Sequence, residues 1–160
     1  MSAEIRAATL LQDRHDPGSL DHAIALAVAA HAGQKDKAGQ PYVLHVLRVM
    51  MRLPDDAARK VGVMHDVVED SSLTLEEIAE SGFDPDIVEA LDAVTRRDGE
   101  PYMDYVRRAA ANPIGYRVKL ADLEDNMDLS RIPDPTDRDR SRLEKYRKAQ
   151  RFIRHLHDLD

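Results

Sequence analysis

The sequence predicts an all-α protein, and three observations lead there. Apolar residues recur at three- and four-residue spacing along most of the chain. Alternating runs of β-branched and aromatic residues, the mark of half-buried strands, are missing, and aromatics make up only 4% of the composition. Helix-start signals (Ser19, Pro41, Pro54, Thr74, Pro85 and Pro101) punctuate the chain throughout. A length of 160 residues is one domain's worth of chain. The expectation is a single domain over 1–160, a bundle of about seven or more helices.

Each element has its own warrant. Residues 1–18 are mixed and end in the turn signal Asp16-Pro17-Gly18. Ser19 caps a helix running to about Gln34, with Leu20, Ile24, Ala27 and Val28 at helical spacing. Lys35–Gln40 is a charged loop containing Gly39. Pro41 suits a first helical position, and Val43, Leu47, Met50 and Met51 follow it. A helix opened by Pro54 runs through Ala57, Val61, Met64 and Val68 to about Glu69. Thr74-x-x-Glu77 is a capping box for a short helix ending near Gly82. Pro85 starts a helix with Ile87, Leu91 and Val94, and Pro101 one with Met103 and Val106. Ile114–Ser130 carries Leu120, Leu123 and Met127 on one stripe. After a loop with Pro133 and Pro135, a last helix over about Asp137–His157 buries Leu143, Tyr146, Ile153 and Leu156.

Composition narrows the function. With no cysteine, neither a disulfide framework nor a Cys-based zinc module can form. Against 23 Lys and Arg stand 30 Asp and Glu, a net charge of −7, so no nucleic-acid partner is expected. An anionic substrate must be captured locally, against the overall charge. No apolar run approaches the roughly 20 residues of a membrane span. Met1–Leu11 lacks a signal-peptide pattern, so a cytoplasmic protein without membrane partners is expected. Oligomeric state is open.

The chemistry-bearing residues cluster. His65-Asp66-Val67-Val68-Glu69-Asp70 places four ionisable groups on an otherwise apolar predicted helix. His65 lies above Glu69 and Asp66 above Asp70, each at i,i+4. Such columns are costly to bury without partners, and a divalent cation would offset that cost. Solvent exposure at a helix end is the other reading, although acids there oppose the helix dipole. Taken alone, His45 fits a packed core histidine, and Asp122 with Asn126 at i,i+4 fits an acidic solvated face. His31 reads as packed and hydrogen-bonded. His15, His22, His155 and His157 read as surface, and Arg138–Arg154 as a solvated helix. No P-loop, nucleophile elbow or GxGxxG pattern is present.

The order of these pieces carries more than each alone. Ala30-His31-Ala-Gly33-Gln34, Gly39-Gln-Pro41-Tyr42-x-x-His45, His65-Asp66-Val-Val-Glu69-Asp70 and Lys119-Leu-Ala-Asp122-x-x-x-Asn126 follow one another. The series resembles the HD-domain hydrolases of the RelA/SpoT type, and most of all their stand-alone small alarmone hydrolases. The likeness covers a core at about 20–150; 160 residues do not hold a synthetase domain beside it. It implies a helical HD-domain fold holding a divalent metal, most often Mn²⁺, on His45, His65, Asp66 and Asp122. It implies that Glu69 and Asp70 activate the hydrolytic water and that Asn126 lies on the nucleotide side. The implied reaction removes the 3′-pyrophosphate of (p)ppGpp or (p)ppApp and releases pyrophosphate. Lys35, Lys37 and Lys119 could add positive charge for the substrate. Removal of a single phosphate and a non-catalytic nucleotide-sensing role are the alternatives.

This chain departs from the pattern at three places. Asp36-Lys37 stands where an Arg-Lys pair is common. That arginine is associated with stacking on the base, which a carboxylate cannot do, so guanine and adenine both stay open. Asp128 stands where a basic residue is common, and Met64 replaces a leucine.

Overall fold

The computed structural model describes residues 3, 4, 6 and 16–159. The expectations for Met1–Leu11 and His15 fall largely or wholly outside them. Among the described residues the structure is helical, and its one β feature is a single bridge between Lys35 and Pro41. The helices are α1 (Leu20–Ala30), α2 (Val43–Met51), α3 (Asp56–Met64), α4 (Val67–Asp70), α5 (Leu75–Glu80), α6 (Pro85–Val94), α7 (Tyr102–Ala111), α8 (Gly115–Asn126) and α9 (Asp137–Leu156). A 3₁₀ turn, Leu129–Arg131, lies between the last two. None of these helices is long and apolar enough to cross a membrane.

The predicted starts are built as capping chemistry requires. Ser19 accepts from the backbone N–H of His22; where Pro54 was expected to open a helix, the cap is Asp55, which accepts from the backbone N–H of Ala58. Thr74 and Glu77 close both bonds of the capping box. Thr136 and Asp139 close a second one, which the sequence reading did not single out. Pro85 occupies the first turn of α6.

α8 is the axis of the fold. It packs against α2, α3, α6, α7 and α9. One apolar cluster joins α1, α2, α3 and α6 through Ala27, Val46, Val61, Met64 and Leu91. A smaller one, with Val106, Leu123, Ala149 and Ile153, fastens α9 to α7 and α8. Enclosed on both sides, α8 buries charged residues that a surface helix would expose: Lys119, Asp122 and Asp125. At Gly62, α3 passes so close to the end of α2 that a Cβ would collide with the Leu53 side chain.

Several expectations need correction. α1 stops at Ala30, and Gly33 turns the chain with φ +80°. The helix placed from Pro54 to Glu69 is two helices. His65 ends α3 with its ring Nδ1 donating to the Gly62 carbonyl at 2.6 Å. That ring occupies the acceptor a continuing helix would give to the Asp66 amide, and the chain bends there. The last predicted helix before Pro133 ends at Asn126 rather than Ser130. Val28, Met51 and Leu156 are exposed, because their helices pack on their neighbours through other faces. His22 and His157 are packed rather than superficial: His22 stacks on Phe83, and His157 stacks on Tyr116 and reaches the Ala110 carbonyl.

Candidate metal centre

Three segments meet at one point. α2 brings His45, the α3–α4 bend brings His65 and Asp66, and α8 brings Asp122. His45 Nε2 lies 3.1 Å from Asp122 Oδ1 and 3.6 Å from Asp66 Oδ2. His65 Nε2 lies 3.3 Å and 3.1 Å from the same two oxygens. Ligand atoms of His45, His65 and Asp122 all fall within 4.8 Å of one another. Two imidazoles and two carboxylates converging from different helices form a donor set suited to one divalent cation. Both readings that left His45 in the core and Asp122 on a solvated face are thus incomplete: each residue is buried, and each faces the cluster.

Each donor is held from behind. The His65 ring is tied at Nδ1 to Gly62, and the His45 ring at Nδ1 to Asp125 Oδ2 at 2.7 Å. Asp122 Oδ2 accepts from Lys119 Nζ at 2.8 Å, which leaves Oδ1 facing the histidines and Asn126 Nδ2. Tyr42 Oη donates to Asp66 Oδ2 at 2.6 Å. Burial works to raise the Asp66 and Asp122 carboxyls. The facing cations, His65 at Asp66 and Lys119 with His65 at Asp122, outweigh it and hold both low. Burial likewise pulls the two histidines down, and the carboxylates around them lift them above the ordinary value. Burial, helped by Asp66, drives the Tyr42 hydroxyl far up, so it stays a donor.

Glu69 and Asp70 stand at the open edge of this cluster. The backbone N–H of Asp70 donates to the Asp66 carbonyl at 3.0 Å, so Asp70 sits one helical turn beyond Asp66. Glu69 accepts from the backbone N–H of Arg96 at 2.5 Å. The loop carrying Arg96 is held in turn by Arg108, whose guanidinium spans Glu100 and the carbonyls of Asp92 and Thr95. Partial desolvation by the surrounding protein raises both the Glu69 and Asp70 carboxyls, and the negative charge of Asp66 adds to it.

Beside His45 opens a cleft of about 350 Å³. Lys35, Lys37 and Asn126 line it, as do Arg48, Arg142 and Tyr146. Lys37 spans it to Asp139 at the start of α9, at 3.4 Å. Lys119 does not reach it as an open cation; it is buried against Asp122 with its Nζ over the Tyr105 ring. Asp36 folds back on its own loop and accepts from the backbone N–H groups of Ala38 and Gln40. The carboxylate that displaces the family's arginine therefore builds a turn.

Sequence reasoning missed Tyr42 as a partner of Asp66, and it missed Asp125. A signal for Asp125 was present: His45, Arg48 and Arg52 recur at i, i+3 and i+7, a polar stripe on an apolar helix that calls for a buried acid. The arginines of the cleft gave no comparable signal.

No family model matches the chain. Among curated proteins it is 34% identical over 89 residues to the guanosine-3′,5′-bis(diphosphate) 3′-pyrophosphohydrolase of Borreliella burgdorferi, covering 53% of this chain and 13% of that protein. It is 32% identical over 121 residues to the GTP pyrophosphokinase of Streptomyces coelicolor, covering 68% and 14%. The chain thus spans less than a fifth of the length of these relatives. A solved structure described as a metazoan ortholog of SpoT that hydrolyzes ppGpp and plays a role in starvation responses superposes with a TM-score of 0.71 at 23% identity, over 88% of this chain and 87% of that one. The long relatives are named for opposite reactions, and each shares a segment that covers roughly half to two thirds of this chain. By that segment and by its fold, the chain belongs to the HD-domain family of the RelA/SpoT type.

Proposed function

We propose that this chain is a single-domain, divalent-metal-dependent phosphohydrolase of the cytoplasm that removes the 3′-pyrophosphate from a hyperphosphorylated nucleotide, (p)ppGpp or (p)ppApp. One observation carries the reading: His45, His65 and Asp122 converge within 4.8 Å, with Asp66 facing both histidines, beside a raised pair of acids and a cleft with several cations. The names of the relatives divide between hydrolysis and synthesis; the His/Asp cluster supports hydrolysis, since a metal held by such donors is the equipment of phosphoester cleavage.

His45, His65, Asp66 and Asp122 would hold the ion, with Mn²⁺ favoured by a mixed imidazole and carboxylate set. When bound, it supplies a Lewis acid and acidifies a water. Glu69 and Asp70, their carboxyls raised by partial burial and by the Asp66 charge and exposed to solvent, take the proton of the attacking water. Water oxygen bonds to the phosphorus attached to the 3′-oxygen, the P–O3′ bond breaks, and the proton passes to the departing 3′-oxygen. Pyrophosphate and a nucleotide with a free 3′-hydroxyl result. Lys35, Lys37 and Asn126 hold the nucleotide side. Because Asp36 is engaged in its own turn, no guanidinium from that position stacks on the base, and adenine and guanine are both accepted.

The test is a pyrophosphate-release assay with Mn²⁺ across guanosine and adenosine 3′-pyrophosphates. Pyrophosphate and 3′-hydroxyl product are expected. Orthophosphate alone would favour removal of a single phosphate, and no turnover of any member would leave a nucleotide-sensing module.

A further inference from the structure

The strongest unassigned feature lies on the far side of His45 from the cluster. Asp125 is 1% exposed, yet its carboxylate meets four side chains. Arg48 grips it with two prongs, Nε to Oδ1 at 2.8 Å and Nη2 to Oδ2 at 3.1 Å. Arg52 Nη1 reaches Oδ1 at 2.9 Å, and Arg131 Nη2 reaches Oδ2 at 3.3 Å. The fourth partner is His45, through Nδ1 at 2.7 Å. A lone carboxylate at this depth would be costly; three guanidinium groups from α2 and the 3₁₀ turn compensate it and fix its orientation.

The location of this knot sets its consequence. An imidazole offers a lone pair to a metal only from the nitrogen that carries no proton. With Nδ1–H given to Asp125, that nitrogen is Nε2, the atom facing Asp122 and Asp66. His65 obtains the same tautomer from the Gly62 backbone carbonyl, which no side-chain change can remove. For His45, among the described residues, a single side chain does the work.

We propose that Asp125 is a positioning residue for the metal centre: it holds the His45 ring in the tautomer and orientation that present Nε2, and Arg48, Arg52 and Arg131 hold Asp125. The inference rests on the metal-centre reading above and adds to it the residue that sets affinity.

Co²⁺ titration of the full chain, followed by its visible absorption, tests this without reference to turnover. Asp125→Ala should weaken Co²⁺ binding by about 10–100-fold and shift the absorption band, the usual effect of losing a partner behind a ligating histidine. Asp125→Asn keeps an oxygen for Nδ1–H without the charge; its loss should be smaller but still measurable, and it carries the test if the alanine variant does not fold. Glu77→Ala, which removes the capping box of α5 away from this knot, serves as the structural comparison: a lowered Tm with an unchanged band and affinity. Asp125 variants that bind Co²⁺ within about threefold of the unaltered chain, with the same band, overturn the proposal. An unaltered chain that takes up no Co²⁺ refutes the metal centre itself, and the role of Asp125 with it.

Discussion

The two ends of the cleft are built on different terms. At the metal end, His45, His65 and Asp122 are almost fully buried, and each is gripped by a second group behind it. At the end proposed for the nucleotide, the 35–40 loop and the start of α9 meet through the ion pair of Lys37 with Asp139, with the lysine side chain 54% exposed. Buried, multiply held groups cannot shift without leaving a charge uncompensated, whereas an exposed pair opens at little cost. The first end suits fixed chemistry. The second suits a rim that adapts to its ligand.

Substitutions at the two ends should therefore differ in kind. His65→Ala removes a donor and the lock on the α3 end together; bound Mn²⁺, measured by metal analysis after gel filtration, should be lost along with all turnover. Glu69→Ala, one step outward, should keep its metal while kcat falls by about 10²–10⁴-fold. A Glu69→Ala protein of full activity would remove that residue from the chemistry. At the rim, Lys37→Ala should raise KM several-fold with kcat nearly unchanged, and should lower stability by less than about 1 kcal/mol. If kcat falls instead, the rim is as fixed as the metal end and the contrast fails.

The smallest effect is one of pH. Arg108 holds the Glu100 carboxyl at about 2, below its ordinary 4.5. A depressed carboxyl contributes stability above its unfolded pKa and loses that contribution as pH falls through the folded one. Glu100→Gln should thus melt below the unaltered chain at pH 6, and the gap in Tm should close between pH 4.5 and about 2. A gap that persists below pH 2 would mean that the loop behind Glu69 is held by something other than this charge.

The same contrast governs how much could be read in advance. The all-α class and the capped helix starts followed from local spacing. The residues of the His/Asp cluster followed only from the resemblance carried by the ordered patterns PYxxH, HDxxED and KLADxxxN; taken alone, His45 and Asp122 read as a core histidine and a solvated acid. The bend at His65 did not follow. An apolar period continues smoothly through Met64 to Val68, and only a ring reaching back to Gly62 interrupts it. Asp125 was hidden for another reason: its partners lie about 80 residues away in the chain, on α2, and become neighbours only when α8 is enclosed. Asp36 was seen as a substitution, but its role as a turn former depends on where its side chain lands.

The His65–Gly62 bond has a consequence for motion. A helix terminus normally frays on its own, independent of chemistry elsewhere. Here the last carbonyl-to-ring contact of α3 is also what aims a donor into the cluster. Loosening of that helix end and release of the proposed metal would be one event, so an occupied centre would act as a clasp on the backbone that builds it.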